Sequence, residues 1–70
     1  MSKLEKLAKI EGMDVMDMLE KATFDCVSPG ICRNPRCNYT CEVEPDSASG
    51  WCEECEANTV VSALRLAGII

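Results

Sequence analysis

Six cysteines carry most of the chemistry this sequence can offer, in the order Cys26-x5-Cys32-x4-Cys37-x3-Cys41-x10-Cys52-x2-Cys55. The closest pair sits in Gly50-Trp51-Cys52-Glu53-Glu54-Cys55. A C-x2-C pair supports two kinds of chemistry. One is dithiol–disulfide exchange, which needs a thiolate of depressed pKa. The other is metal ligation, in which the pair supplies two of the four ligands of a tetrahedral ion. The neighbours favour the second. Both residues between the cysteines are Glu and Glu56 follows, and negative charge nearby disfavours a thiolate. A bound divalent metal reverses that logic, because its own charge deprotonates the thiols.

Trp51 before the pair gives the W-C-x-x-C look of a thioredoxin motif, but such motifs sit in a βαβ pattern. Only a short segment follows Cys52, and it reads as helix. For a tetrahedral site, Cys52 and Cys55 need a second close pair. Cys32 and Cys37 enclose Asn34-Pro35, turn-forming chemistry that can fold the backbone around an ion. Cys37 and Cys41 instead span the best strand signal, where positions four apart lie roughly 13 Å apart. The expected metal ligands are therefore Cys32, Cys37, Cys52 and Cys55. Cys26 and Cys41 are left as small, partly buried thiols, the alternatives being ligand exchange or a second site. Cys32-x4-Cys37-x3-Cys41 is one residue longer than plant-type ferredoxin spacing, which disfavours an iron–sulfur cluster.

The elements that must position these residues follow from pattern. Ser2 with Glu5 forms a capping box for a first helix to about Glu11, with Leu4, Leu7, Ala8 and Ile10 on one face. Gly12 interrupts it. Asp14 can cap a second helix whose Met16, Met18, Leu19 and Ala22 supply apolar contacts. The pair, residues 1–24, is a helical hairpin. It partly resembles a helix-turn-helix, but Asp14, Asp17 and Glu20 on the second helix would repel phosphates. Residues 25–30 read as a loop with Ser28-Pro29-Gly30 as a turn. Asn38 to Val43 alternates as a strand, and Trp51 begins a short partner strand. A last helix is expected over residues 59–68, capped by Asn58 or Thr59 and stopped by Gly68. It would bury Val60, Val61, Leu64 and Ala67 against the N-terminal helices and Trp51.

At 70 residues with three aromatics, the chain makes one domain, residues 1–70, that buries only about 60% of its unfolded surface. Domains this small are commonly stapled by disulfides, metal or association. The N-terminal MSKLEKLAKI has no apolar run, and no segment is apolar and long enough to span a membrane. A cytoplasmic address, where thiols stay reduced, suits ligands better than disulfides. The net charge is −5. Glu42, Glu44, Asp46, Glu53, Glu54 and Glu56 fall in a stretch without Lys or Arg, and four thiolates around a zinc ion leave the site about two charges more negative.

Residues 30–58 resemble a zinc ribbon, two cysteine knuckles joined by a β-hairpin. With the flanking helices, the chain looks like small bacterial and phage zinc-ribbon-like proteins of unassigned function. That resemblance implies a small α+β metal-stabilised domain with two N-terminal helices and one C-terminal helix, and it implies no activity. The expected function is a structural-zinc interaction module with one zinc ion and no catalysis, since four cysteines close the site and no histidine exists to act as a base. Leu66, Ile69 and Ile70 lie off the expected helix's core face or past its stop. They are the expected contact with a protein partner or a second copy of the chain. The competing class is nucleic-acid binding through Arg33, Arg36 and Tyr39, disfavoured by charge.

Overall fold

The computed structural model describes residues 2–69; Ile70, one of the expected contact residues, lies outside them. Helix α1 spans Lys3–Glu11. Ser2 Oγ accepts the Glu5 amide at 3.1 Å and donates to Glu5 Oε1 at 3.2 Å, so the two residues identified as a cap do pair. At the other end Gly12 takes φ 74°. The amides of Gly12 and Met13 return to the Lys9 and Ala8 carbonyls, each at 3.1 Å, the left-handed closure that glycine makes without strain. Helix α2, Val15–Phe24, starts at Asp14, whose side chain makes no capping hydrogen bond.

Four strands follow: β1 Ser28–Cys32, β2 Thr40–Val43, β3 Gly50–Cys52 and β4 Ala57–Ser62, with a short helix α3 at Ala63–Leu66. They form one antiparallel sheet in the order β2-β1-β4-β3. Two expectations are corrected here. Ser28-Pro29-Gly30 is not a turn but the start of a central strand. The β1–β4 ladder begins only at Gly30, paired with Ser62, so the amide that Pro29 lacks is not called on by β4. The first four residues of the helix expected over residues 59–68 are strand, and only Ala63–Leu66 are helical. Thr59, Val60 and Val61 are β-branched, stiff at χ1, and fit a pleated surface better than a helical turn. Helix α3 starts four residues later, capped by Ser62 Oγ, which accepts the Arg65 amide at 3.2 Å. Gly68 does stop it, at φ 74°, with the Gly68 and Ile69 amides returning to Arg65 and Leu64.

The hairpin expected between residues 38–43 and Trp51 is also replaced. β2 pairs with β1, β3 pairs with β4, and the two hairpins join along β1–β4. The sheet curls so that its edge strands approach one another without pairing. A Cβ on Gly50 would stand 2.7 Å from Val43 Cγ1, and one on Gly30 would stand 2.9 Å from Val43 and Val60 methyl carbons. Only glycine permits so close an approach at these two positions.

The interior divides in two. Leu7, Ala8, Met18, Ile31 and Ala63 form a helical core, with Leu4, Leu19 and Leu66 packed on it. Cys32, Cys37, Cys52 and Val60 form the other, bordered by Tyr39, Cys41, Val43 and Cys55. Leu66 therefore leans on the core rather than away from it, while Ile69 is 58% exposed. Trp51, expected in the core, is 53% exposed, and Met16 projects outward from α2. No helix among the described residues is long and apolar enough to cross a membrane.

Candidate metal centre

Each cysteine pair occupies the turn of one hairpin. Cys32 ends β1, Cys37 lies in the loop to β2, Cys52 ends β3, and Cys55 lies in the loop to β4. The first loop is shaped by Asn34: its carbonyl accepts the Cys37 amide at 3.0 Å and its Oδ1 accepts the Arg36 amide at 3.1 Å. The ladder runs on past β1, with Cys32 N–H donating to Tyr39 O and Arg33 N–H to Thr59 O, both at 2.9 Å. The second loop is closed by Glu56 at φ 53°, a left-handed residue that brings the chain into β4. Because β1 and β4 are neighbours, both turns arrive at the same end of the sheet.

The structure thus brings Cys32, Cys37, Cys52 and Cys55 together, with all four Sγ atoms within 4.8 Å of one another. Cys32 and Cys55 sulfurs are 3.7 Å apart, as are those of Cys37 and Cys52. Zinc–sulfur bonds of about 2.3 Å in a tetrahedron put sulfurs roughly 3.8 Å apart, so the spacing fits such an ion. Cys32, Cys37 and Cys52 are buried and Cys55 is half-buried. Cys26 is exposed, against the expectation of partial burial, and stands apart from the cluster; Cys41 is half-buried beside it, its Sγ 4.0 Å from Trp51 O.

Every sulfur of the cluster has a hydrogen-bond partner. Thr59 Oγ1 lies 3.0 Å from Cys32 Sγ, the Cys55 amide donates to Cys52 Sγ at 3.3 Å, and Asn34 Nδ2 donates to Cys55 Sγ at 3.6 Å. The Cys37 thiol donates to Glu54 Oε2 at 3.5 Å. Burial pushes the Cys32 thiol up, but the Thr59 hydroxyl, the Asn34 amide and the neighbouring thiols outweigh it and bring it to about 7. Cys37 goes the other way: the Tyr39 amide favours its thiolate, yet burial and three adjacent thiols push it up to about 12. Four thiols this close cannot all ionise unaided, and a cation at their centre is what lets them do so. Lys3 adds a cation from α1, its Nζ donating to the Cys37 carbonyl.

Sequence patterning does not mark Thr59, which reads as a helix cap but lies in β4, nor Lys3, which reaches the site from the far end of the chain. The residues of the nucleic-acid reading are placed as follows. Arg33 and Arg36 are exposed on the first loop, Tyr39 is half-buried against the cluster, and all six acids from Glu42 to Glu56 are exposed. The dithiol reading loses ground, since Cys52 is fully buried. Cys55 is also held above its ordinary value: the Cys37 thiol lowers it, but Cys32, burial and Cys52 together raise it.

Comparison with known proteins gives no match: no family model fits the chain, and neither a curated protein nor a solved structure is significantly similar to it.

Proposed function

We propose that this chain is a structural-zinc module, cytoplasmic, that works through interaction with a partner protein and performs no catalysis. The observation that carries the metal is the cluster itself, four sulfurs at tetrahedral spacing, each already hydrogen-bonded. Four protein ligands fill a zinc tetrahedron and leave no position for water or substrate, the arrangement of structural rather than catalytic sites. The kinship with small bacterial and phage zinc-ribbon-like proteins belongs to the same proposal and rests on two cysteine pairs, each held in the turn of a hairpin. The interaction role is supported by large apolar side chains left in water, among them Phe24, Trp51 and Ile69.

Metal analysis of protein purified without added metal tests the first half; one zinc per chain is expected, and a metal-free folded chain overturns the reading. Arg33 and Arg36 on the exposed loop favour nucleic acid as a second reading. Phosphate binding through them would weaken steeply with salt, whereas protein association through apolar side chains would not.

A further inference from the structure

Between α2 and the start of β1 lies a cavity of about 130 Å³, open to solvent. Its volume is well below the roughly 300–1,000 Å³ of small-molecule sites and suits a single long side chain. Met13, Met18 and Val27 give it apolar walls. Its charged groups come from three separate elements: Glu11 ends α1, Asp25 follows α2, and Glu42 stands on β2 opposite Pro29. Against these three carboxylates stands one ammonium, that of Lys21. An open apolar pocket lined also by exposed carboxylates is complementary to a side chain with an aliphatic stem and a cationic head. Phe24, next to Asp25, is 83% exposed, and Val27 at the cavity is 43% exposed, so a partner has apolar surface to cover beside the charged site.

We infer that this groove is the docking site for a protein segment that inserts a lysine or arginine side chain, its stem along Met13, Met18 and Val27 and its charge among Glu11, Asp25 and Glu42. This deepens the interaction role proposed above and rests on it. It also assigns the contact to the α2–β1 face rather than to the C-terminal residues.

The test uses the full metal-loaded chain and a blocked leucine–lysine–leucine amide, followed by NMR. Saturable shifts at the Met13, Met18 and Val27 methyls are expected. Replacing the lysine with norleucine, or Glu42 with Gln (Glu42→Gln), should weaken binding by about fivefold, and raised salt should do the same. Lys21→Gln should tighten binding by a similar factor, a gain that misfolding cannot mimic. Equal binding of the norleucine peptide overturns the proposal, as do shifts centred on Trp51 or Ile69, or no saturable change up to the peptide's solubility. Zinc content measured on the same samples separates the two readings. Full zinc without binding sinks the groove and leaves the metal module standing, whereas peptide binding by a zinc-free folded chain does the reverse.

Discussion

Cys41 and Cys52 lie close together in the same sheet, yet only Cys52 faces the other three sulfurs. Cys52→Ser should therefore abolish stoichiometric metal binding, while Cys41→Ser and Cys26→Ser should leave one ion per chain, as measured by elemental analysis. Metal loss in Cys41→Ser with retention in Cys32→Ser would reverse the assignment. Reactivity should rank in the same way, because the thiolate is the nucleophile. Cys26 is exposed, whereas burial and the charges of Cys52 and Glu53 hold the Cys41 thiol up. Alkylation of the loaded chain should therefore mark Cys26 first, Cys41 slowly, and the four clustered cysteines only after chelation. Thr59 is not one of the four clustered thiols, but its hydroxyl, 3.0 Å from Cys32 Sγ, offsets part of the burial that pushes that thiol up. Outer-shell partners of this kind typically change metal affinity by about tenfold or more, so Thr59→Val should weaken binding on that order in competition with a chromophoric chelator. Unchanged affinity would reduce Thr59 to a strand residue.

At the scale of elements, the curl of the sheet depends on what is missing at Gly50 and Gly30. Gly50→Ala places a methyl 2.7 Å from Val43 Cγ1 and should cost about 1–3 kcal/mol in chemical denaturation, as overpacking does. In the Val43→Ala background the same change should cost less, with the contacts to Val60 Cβ at 3.1 Å and Val60 O at 3.3 Å remaining; equal costs in both backgrounds would show that the edge strands do not press on each other there. The two ends of the chain differ in how plainly their sequence spoke. Helix α1 and its glycine stop were legible because the Ser2–Glu5 cap, 3.6-residue periodicity and Gly12 agree, and α2 was legible from its apolar spacing although Asp14 makes no side-chain cap. The four clustered cysteines were legible because turn chemistry at Asn34-Pro35 favoured Cys32 with Cys37, and the strand signal between Cys37 and Cys41 disfavoured the competing pair. β4 was not, because Val60, Val61, Leu64 and Leu66 form one apolar run. Such a run does not distinguish a buried strand from a buried helix, and only the β-branched Thr59-Val60-Val61 and the capping Ser62 mark where one gives way to the other. β1 was hidden by Pro29 and Gly30, which signal a turn in isolation and are tolerated here by the end of one ladder and the closeness of Val43. The partnering of the hairpins was not readable at all, since it depends on β1 and β4 meeting across a long separation in sequence.

For the molecule as a whole, the question is whether the helical core can survive without an intact cysteine core. The two cores share their strands. Ile31 belongs to the first and Cys32, next to it on β1, to the second; Val60 on β4 belongs to the second, and Ala63 directly after β4 to the first. Structural zinc contributes on the order of 10 kcal/mol in small domains, comparable with the entire stability of an ordinary one, and this chain has few aromatic side chains to compensate. Chelation should therefore unfold both cores in one transition, with NMR signals of Leu7 and Val60 lost together. The coupling also runs the other way. If metal binding and folding are one event, a cavity far from the sulfurs must weaken the metal. Leu7 is fully buried in the helical core and is not part of the cysteine core. Leu7→Ala should cost about 2–5 kcal/mol, and at roughly 3 kcal/mol the apparent metal affinity should fall by about 100-fold with all four ligands intact. An affinity unchanged by Leu7→Ala, or native Leu7 signals after complete metal removal, would show instead that the sheet and its cluster fold as a unit separate from the helices.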